Sequence, residues 1–391
     1  MLKDRHRTII YLGFNYFPFG FAPGERQRLI SKSLIQQGYR VIVVARKGSL
    51  KKESIHLPYK GKIEGIDYMY TSGTAYRPKS FIKRNLLKIY GTIGEFFLML
   101  SLQSTFGIDF AILYSRNLTL LRYYHFMSRI IGFKIVTDYT ERASAWAGVN
   151  GNYSTFEQKS PLYTNASFCI SNFLEQSVRE INPHLPILKV PVICDVEKIK
   201  NLPAHPDSKP YFLFCGTLFY QEIIEFIVES FLQCNNKKTY LYFVVNGGDK
   251  QKDIFKTYID QCPKKDMIRI FTDVEYNVLI GLYKSAIALL IPLRSTTQDI
   301  ARFPHKIGEY TASGRPVITT KVGEIPLFFK DMENALIADE FTPQAFKEKM
   351  DFVIENRAKA DIIGLNGLKV AELYFDYKAI GSKIAPFMEN L

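Results

Sequence analysis

The feature that most constrains the fold is an alternation, repeated along most of the chain, between short apolar runs and longer segments of helical period. Thr8 to Leu12 is a short apolar run, Gly24 to Gln37 has three- and four-residue apolar spacing and ends at Gly38, and Tyr39 to Ala45 is again apolar and β-branched. This predicts strand, helix, strand. The order returns with Asp109 to Tyr114, Leu118 to Ile131 and Lys134 to Thr137, followed by strand-like runs at Ala166 to Ile170 and Ile187 to Val190. Strands joined through helices pair in parallel, in a sheet covered on both faces.

The alternation stops at Asn201 to Pro210, where three prolines sit among polar residues, and then resumes from Tyr211 to Thr320. A chain of 391 residues has room for two domains. The predicted organisation is a Rossmann-like domain over 1–200, a linker over 201–210, a second Rossmann-like domain over 211–370, and a C-terminal helix over 371–391 that can pack back on the first domain.

Several classes are excluded early. No apolar stretch approaches the ~18–20 residues that cross a bilayer; the best candidate, Phe96 to Leu100, is broken by Ser101, Gln103 and Ser104. Lys3, Asp4, Arg5, His6 and Arg7 lead straight into a strand rather than into a signal peptide. Five cysteines, Cys169, Cys194, Cys215, Cys234 and Cys262, form no Cys-x-x-Cys pair and read as reduced thiols rather than disulfides or a zinc site. A cytoplasmic protein is expected.

The net charge of +13 is confined to one half: residues 1–200 carry 28 Lys and Arg against 14 Asp and Glu, and residues 201–391 carry 23 against 24. Such asymmetry suggests that the first domain meets something anionic. The densest stretch holds Arg77, Lys79, Lys83, Arg84 and Lys88, with no acid between Asp67 and Glu95. Interleaved with it, Ile82, Leu86, Ile89, Ile93, Phe97 and Leu100 follow helical spacing, which predicts a helix with one buried stripe and a cationic flank. The pattern permits attachment of residues 77–100 to an anionic membrane surface; it equally describes a helix packed on its own sheet with solvated lysines outside. No nucleic-acid-binding motif is present, and no nucleic-acid partner is expected.

The most informative stretch is Phe303 to Thr320, FPHKIGEYTASGRPVITT. Pro304 suits the start of a helix and Gly314 the left-handed residue past its end, so the segment predicts a short helix followed by a buried strand. The start of that helix, at the carboxyl edge of the sheet, favours phosphate, and Lys306 adds a cation there. Glu309 lies one turn in and could accept hydrogen bonds from a ribose diol; Lys306 and Glu309 could also form an ordinary surface pair.

These residues resemble the donor-binding signature of GT-B glycosyltransferases, in particular the retaining family 4 (glycosyl transferases group 1), whose pattern runs Pro-x-Lys-x-x-Glu-Tyr and then Gly-x-Pro-Val-Ile. The resemblance extends to Val322 to Ile325, to Asn334 to Ala338, to the opening passage Pro18 to Ala45 with Gly24 and Arg26, to the strand and glycine turn at Phe214 to Thr217, and to Val190 to Asp195. It implies an α/β GT-B architecture with two Rossmann-like domains facing each other across a cleft. It also implies metal-independent transfer of a sugar, with retention, from a nucleotide-sugar donor to a glycan or lipid-linked acceptor, with no cofactor. By resemblance the donor-binding residues are Gly216, Thr217, Arg302, Lys306, Ile307 and Glu309. Gly24 and Arg26 would approach the diphosphate or the acceptor, unless Arg26 is only a solvated residue at a helix start.

Two departures stand out. Where the family often has a second Glu, eight positions before Glu309, the chain has Ala301, so that either Asp299 substitutes or the role is vacant; and no Lys follows the Gly216 turn. These departures also fit a non-catalytic homologue that binds a nucleotide sugar or a partner enzyme. A nucleotide-sugar epimerase is a further alternative. On the acceptor side, Glu141 and then Asp138 follow a strand end, where a carboxylate could deprotonate the acceptor hydroxyl or merely cap the next helix. His305 is expected to face solvent.

Overall fold

The computed structural model describes residues 7–20, 22–51, 57–146, 153–206, 209–234 and 238–391. The charged residues Lys3 to His6, together with Asp207 and Ser208 of the proline-bearing break, lie outside them. The chain forms two compact units, Met1–Ile193 with Tyr377–Leu391, and Cys194–Asp376.

The first unit is built on eight strands: β1 (Thr8–Leu12), β2 (Arg40–Ala45), β3 (Lys60–Ile63), β4 (Ile66–Tyr70), β5 (Ile108–Leu113), β6 (Lys134–Tyr139), β7 (Ala166–Cys169) and β8 (Ile187–Lys189). Their order in the sheet is β3-β4-β2-β1-β5-β6-β7-β8, and only β3 runs antiparallel to its neighbour. Strand β1 is buried along its whole length because both faces are covered. Ile9, Tyr11, Val41 and Val43 pack with helix α1 (Ala22–Gln36) and the C-terminal helix Tyr377–Glu389. Ile10, Leu12, Ile42 and Val44 point the other way, to Met99 of helix α2 (Phe81–Thr105) and to Leu121, Tyr124 and Met127 of helix α3 (Leu118–Ile131).

Sequence spacing does not reveal the β3–β4 hairpin. Its two-residue turn needs two left-handed residues, for which Asn-Gly is the usual signal. Here the residues are Glu64 (φ 50°) and Gly65 (φ 84°). The Glu64 carboxylate pairs with Arg28 of α1, a tertiary contact that offsets the strain of the turn.

The second unit holds six parallel strands, β9 (Tyr211–Thr217), β10 (Tyr240–Asn246), β11 (Ile268–Phe271), β12 (Ala288–Ile291), β13 (Val317–Thr320) and β14 (Leu336–Ala338), in the order β11-β10-β9-β12-β13-β14. The strand order reverses between β9 and β12, which makes their carboxyl ends the switch point where ligands bind in open parallel sheets.

The boundary between the units falls at Ile193/Cys194, not at residue 200, and the segment 201–210 is not the linker. The Cys194 N–H donates to the Phe375 carbonyl at 2.8 Å, and Asp376 accepts from the Val196 N–H at 3.2 Å, which ties this strip to the second unit. Residues 201–206 and 209–210 then run within that unit; the His205 N–H donates to the Gly281 carbonyl at 3.0 Å. At the other end, Ala371–Phe375 extends a helix of the second unit as a wider π turn. The Tyr377–Glu389 helix belongs to the first unit and lies against α1 so closely that a Cβ on Gly381 would sit 2.9 Å from Ser33 atoms.

Helix α2 also departs from expectation. The stripe predicted to be buried is outside, and the helix docks through Gly91, Glu95 and Met99 instead. Among the described residues, no helix is long and apolar enough to cross a membrane, and no group of three or more His, Cys, Asp or Glu side chains could hold a metal ion.

Candidate functional site

In the second unit, the helix His305–Ala312 begins beyond the carboxyl end of β12, with Pro304 as its N-cap. Its inner face is fixed by Ile307 and Tyr310, both fully buried. The Tyr310 hydroxyl accepts a 2.7 Å hydrogen bond from the Cys215 N–H at the end of β9, so the helix start and the Gly216 turn are held as one piece. Ile307 is therefore a core residue whose N–H is already given to the Pro304 carbonyl at 3.0 Å. It is not a ligand contact, because its apolar side chain does more as the anchor of this helix.

Lys306 and Glu309 meet one turn into the helix, with Nζ and Oε2 3.0 Å apart. Their settings differ: the Glu309 side chain is 4% exposed and that of Lys306 31%. His305 is not a solvent-facing residue. Its side chain is 13% exposed, with Nε2 3.5 Å from the other Glu309 oxygen, because the helical turn places residues 305 and 309 on one face. Burial alone would raise the Glu309 pKa, but Lys306 and His305 outweigh it and hold the carboxyl at about 2, against an ordinary 4.5. Burial likewise opposes the charge on Lys306, and Glu309 and Cys215 overcome it, raising its pKa. The result is an ionised carboxylate behind a cation that still reaches solvent.

This pair makes stability depend on acid in a definite direction. The folded pKa of Glu309 lies below the unfolded one, so its contribution is complete above pH 4.5 and is lost as pH falls toward 2. The contribution is about 3 kcal/mol on this shift. The unfolding free-energy gap between the protein and Glu309→Gln should therefore narrow on acidification below pH 4.5. A gap that stays constant through that window would show that the carboxylate is not ionised and paired.

A second cluster adjoins the first in sequence and was only partly legible. Asp299 is fully buried and is not available as a substitute for the family's second Glu. One oxygen accepts from the Arg294 N–H at 3.0 Å and from its Nε at 2.8 Å, and the other lies 2.6 Å from the Arg302 guanidinium. Arg294 continues to Glu222 at 2.7 Å. Arg302 also donates to the Tyr220 hydroxyl and stacks over that ring at 4.5 Å. Arg294 and Tyr220 escaped the sequence reading; the one available signal was the position of Arg294 just past a strand end. No Lys follows the turn; the cations of these two clusters are Arg294, Arg302 and Lys306, each paired with a carboxylate.

Gly216 and Thr217 close β9. A Cβ on Gly216 would lie 2.6 Å from the Phe214 ring, so the ring requires glycine there. The Thr217 hydroxyl accepts from the Phe219 N–H at 3.4 Å and shapes the turn. Ala301, at the position where the family often has Glu, is fully buried.

In the first unit, Arg26 is neither solvated nor turned toward a ligand. It is buried against Asp138, with Nε 3.0 Å from both carboxylate oxygens, and it donates to the Val190 and Pro191 carbonyls at 2.9 and 2.6 Å. Asp138 also accepts from the Tyr11 hydroxyl at 2.9 Å. Both residues were candidates for the diphosphate or acceptor, but each satisfies the other, because an isolated buried charge is too costly. Gly24 serves packing: a Cβ would sit 2.7 Å from the Phe19 carbonyl oxygen. Glu141, beyond the end of β6, is different. Its side chain is 34% exposed and pairs with Arg116 at 3.0 Å, while Arg116 stacks on Trp146 at 4.5 Å.

Two Rossmann-like α/β units, the second with a cation–carboxylate pair at its switch point, define the GT-B fold of glycosyltransferases. Residues 195–370 match the family model of the glycosyl transferases group 1. Solved structures agree over nearly the whole chain. Sucrose-phosphate synthase of Thermosynechococcus elongatus superposes with a TM-score of 0.75 at 14% identity, covering 98% of this chain and 99% of that one. HepE of Anabaena in complex with UDP-glucose gives 0.70 at 12%, covering 99% and 100%. The lipopolysaccharide outer core galactosyltransferase WaaB gives 0.63 at 16%, covering 99% and 100%. No curated protein sequence matches the chain.

Proposed function

We propose that the protein is a retaining, metal-independent glycosyltransferase that moves a sugar from a UDP- or GDP-linked donor to a lipid-linked or polysaccharide acceptor in cell-surface glycan synthesis. It works in the cytoplasm, at the inner face of a membrane. The observation that carries the reading is the Lys306–Glu309 pair at the start of a helix on the β9/β12 switch point. When the bond between sugar and diphosphate breaks, negative charge grows on the leaving phosphate. Lys306, Arg302 and the start of the His305–Ala312 helix would stabilise that charge more in the transition state than in the ground state. Glu309, held ionised, would accept from the ribose hydroxyls. Glu141, the partly exposed acid of the first unit, would orient the acceptor hydroxyl, with Asp138 supporting the neighbouring backbone through Arg26. The solved relatives lend support, since HepE is seen with UDP-glucose and WaaB is a galactosyltransferase of the lipopolysaccharide outer core.

The test is a thermal-shift comparison of UDP, GDP, ADP, CMP and their common sugars, with Glu309→Gln in parallel. A ligand that binds only the folded protein raises its melting temperature, by about 2.7 kcal/mol of stabilisation at ~100 times Kd. One nucleotide should raise the melting temperature of the protein and shift Glu309→Gln much less. No shift from any nucleotide at millimolar concentration would sink the reading. Ala301 and the absence of a Lys after Gly216 favour one alternative, a homologue that binds the donor without turning it over. Donor binding with no release of nucleoside diphosphate in the presence of acceptor would select it.

A further inference from the structure

Helix α2 is built inside out. Over its 25 residues it buries Gly91, Glu95 and Met99, while Ile82, Leu86, Ile89, Ile93 and Phe97 are between 54% and 70% exposed. An ordinary surface helix does the reverse, because burying large apolar side chains is strongly favourable.

The inverted register is locked by the protein. At Gly91 the helix touches the chain: a Cβ there would lie 2.1 Å from the Arg46 carbonyl oxygen, and one on Gly94 would lie 3.1 Å from that of Thr71. Rotating α2 to bury its apolar stripe would drive large side chains into that backbone. Glu95 fixes the same register, accepting from Arg46 Nε at 2.9 Å and from the Tyr124 hydroxyl at 2.8 Å. This is the only acid in α2, and it faces inward. The apolar stripe therefore lies outside, α2 exposes no acid of its own, and the exposed cations Arg77, Lys79, Lys83 and Lys88 sit just before the helix or in its N-terminal third, beside the stripe rather than within it. Lys47 adds to the same positive field: burial together with Lys88, Arg77 and Arg46 lowers its pKa.

We infer that the outward face of α2 is a lipid-binding surface that lies in the plane of an anionic bilayer, its apolar stripe among the acyl chains and its cations at the headgroups. Charge selects this occupant. A second copy of the chain would bring a second set of cations against the first, whereas anionic headgroups complement them. The interaction goes beyond sugar transfer and is independent of it, because it uses no residue of the nucleotide site. It can therefore be measured without donor or acceptor.

The experiment uses the full chain with vesicles of phosphatidylglycerol and phosphatidylcholine, against vesicles of phosphatidylcholine alone. At low salt, flotation should recover the protein with the anionic vesicles at least about tenfold more than with the neutral ones, and each of Lys83→Glu and Lys88→Glu should weaken partitioning about fivefold or more. Ile89→Asp/Ile93→Asp/Phe97→Asp should weaken it by more than about tenfold without lowering the melting temperature, since these side chains are exposed. Phe97→Trp supplies an independent reading: its added fluorescence should shift blue on anionic vesicles and be quenched by brominated acyl chains. The inference is overturned if the full chain fails to float with anionic vesicles at low salt. It is equally overturned if binding survives the triple substitution, if Phe97→Trp remains unquenched, or if sedimentation without lipid shows a dimer that the triple substitution dissolves.

Discussion

Lys306→Met should reduce donor turnover, followed as release of nucleoside diphosphate, by about 10²–10³-fold in kcat/KM. The expectation rests on two consequences of one geometry. Lys306 is the cation nearest the helix start that still reaches solvent, and it is also the partner that outweighs the burial of Glu309. On the proposed mechanism its removal would take a charge from the developing diphosphate. It also releases the Glu309 carboxyl from about 2 toward higher values, because burial then acts with only His305 opposing it. The variant should accordingly lose nucleotide affinity most at acidic pH, where Glu309 becomes protonated and ceases to be an acceptor only. Arginine at 306 should restore part of the activity, since it keeps the charge but not the shape. Turnover within a few-fold of the original in Lys306→Met would remove the pair from the mechanism.

Arg26→Ala should cost about 3–5 kcal/mol of unfolding free energy, measured by urea denaturation, because it leaves a carboxylate buried without its cation. The side chains of Arg26 and Asp138 are 6% and 0% exposed, and no solvent is at hand to take over. Arg26 also ties the Val190 and Pro191 carbonyls to the end of β6, so its loss unpins the strip that leads out of the first unit. Arg26→Met/Asp138→Leu should be less destabilising than Arg26→Ala, since neither charge is then stranded, although the Tyr11 hydroxyl still loses its acceptor. A loss below about 1 kcal/mol in Arg26→Ala would show that the pair is hydrated in solution. The contrast with Lys306 is instructive: both are cations beside a carboxylate near a strand end, but one is closed inside the core and the other is open on one side.

Much of the candidate site in the second unit was legible in the sequence because it depends on local rules. The helix start at Pro304, the left-handed end at Gly314 (φ 74°) and the three-residue spacing of Lys306 and Glu309 are all set within one segment. The strands of both sheets other than β3 and β4 were legible for the same reason, their apolar runs being continuous. The settings of His305, Asp299 and Ile307 are not set by local rules. Helical spacing states which residues share a face but not whether that face meets a core, an arginine or solvent. The β3–β4 hairpin was hidden because its turn carries Glu64, whose left-handed conformation is supported from another element.

By itself the sequence determined two α/β units with mostly parallel sheets and a helix starting at Pro304 that carries Lys306 and Glu309 one turn apart, since hydrophobic period and turn chemistry are properties of neighbouring residues. Only the tertiary structure decided which charges face inward. Arg26 and Asp138 lie 112 positions apart and Arg46 and Glu95 lie 49 apart, and no local pattern announces such pairs. The same is true of α2: its period marked a stripe, but the side on which it lies was decided by the close approach of Gly91 to Arg46, where backbone sterics and a buried ion pair outweigh the burial of five large apolar side chains.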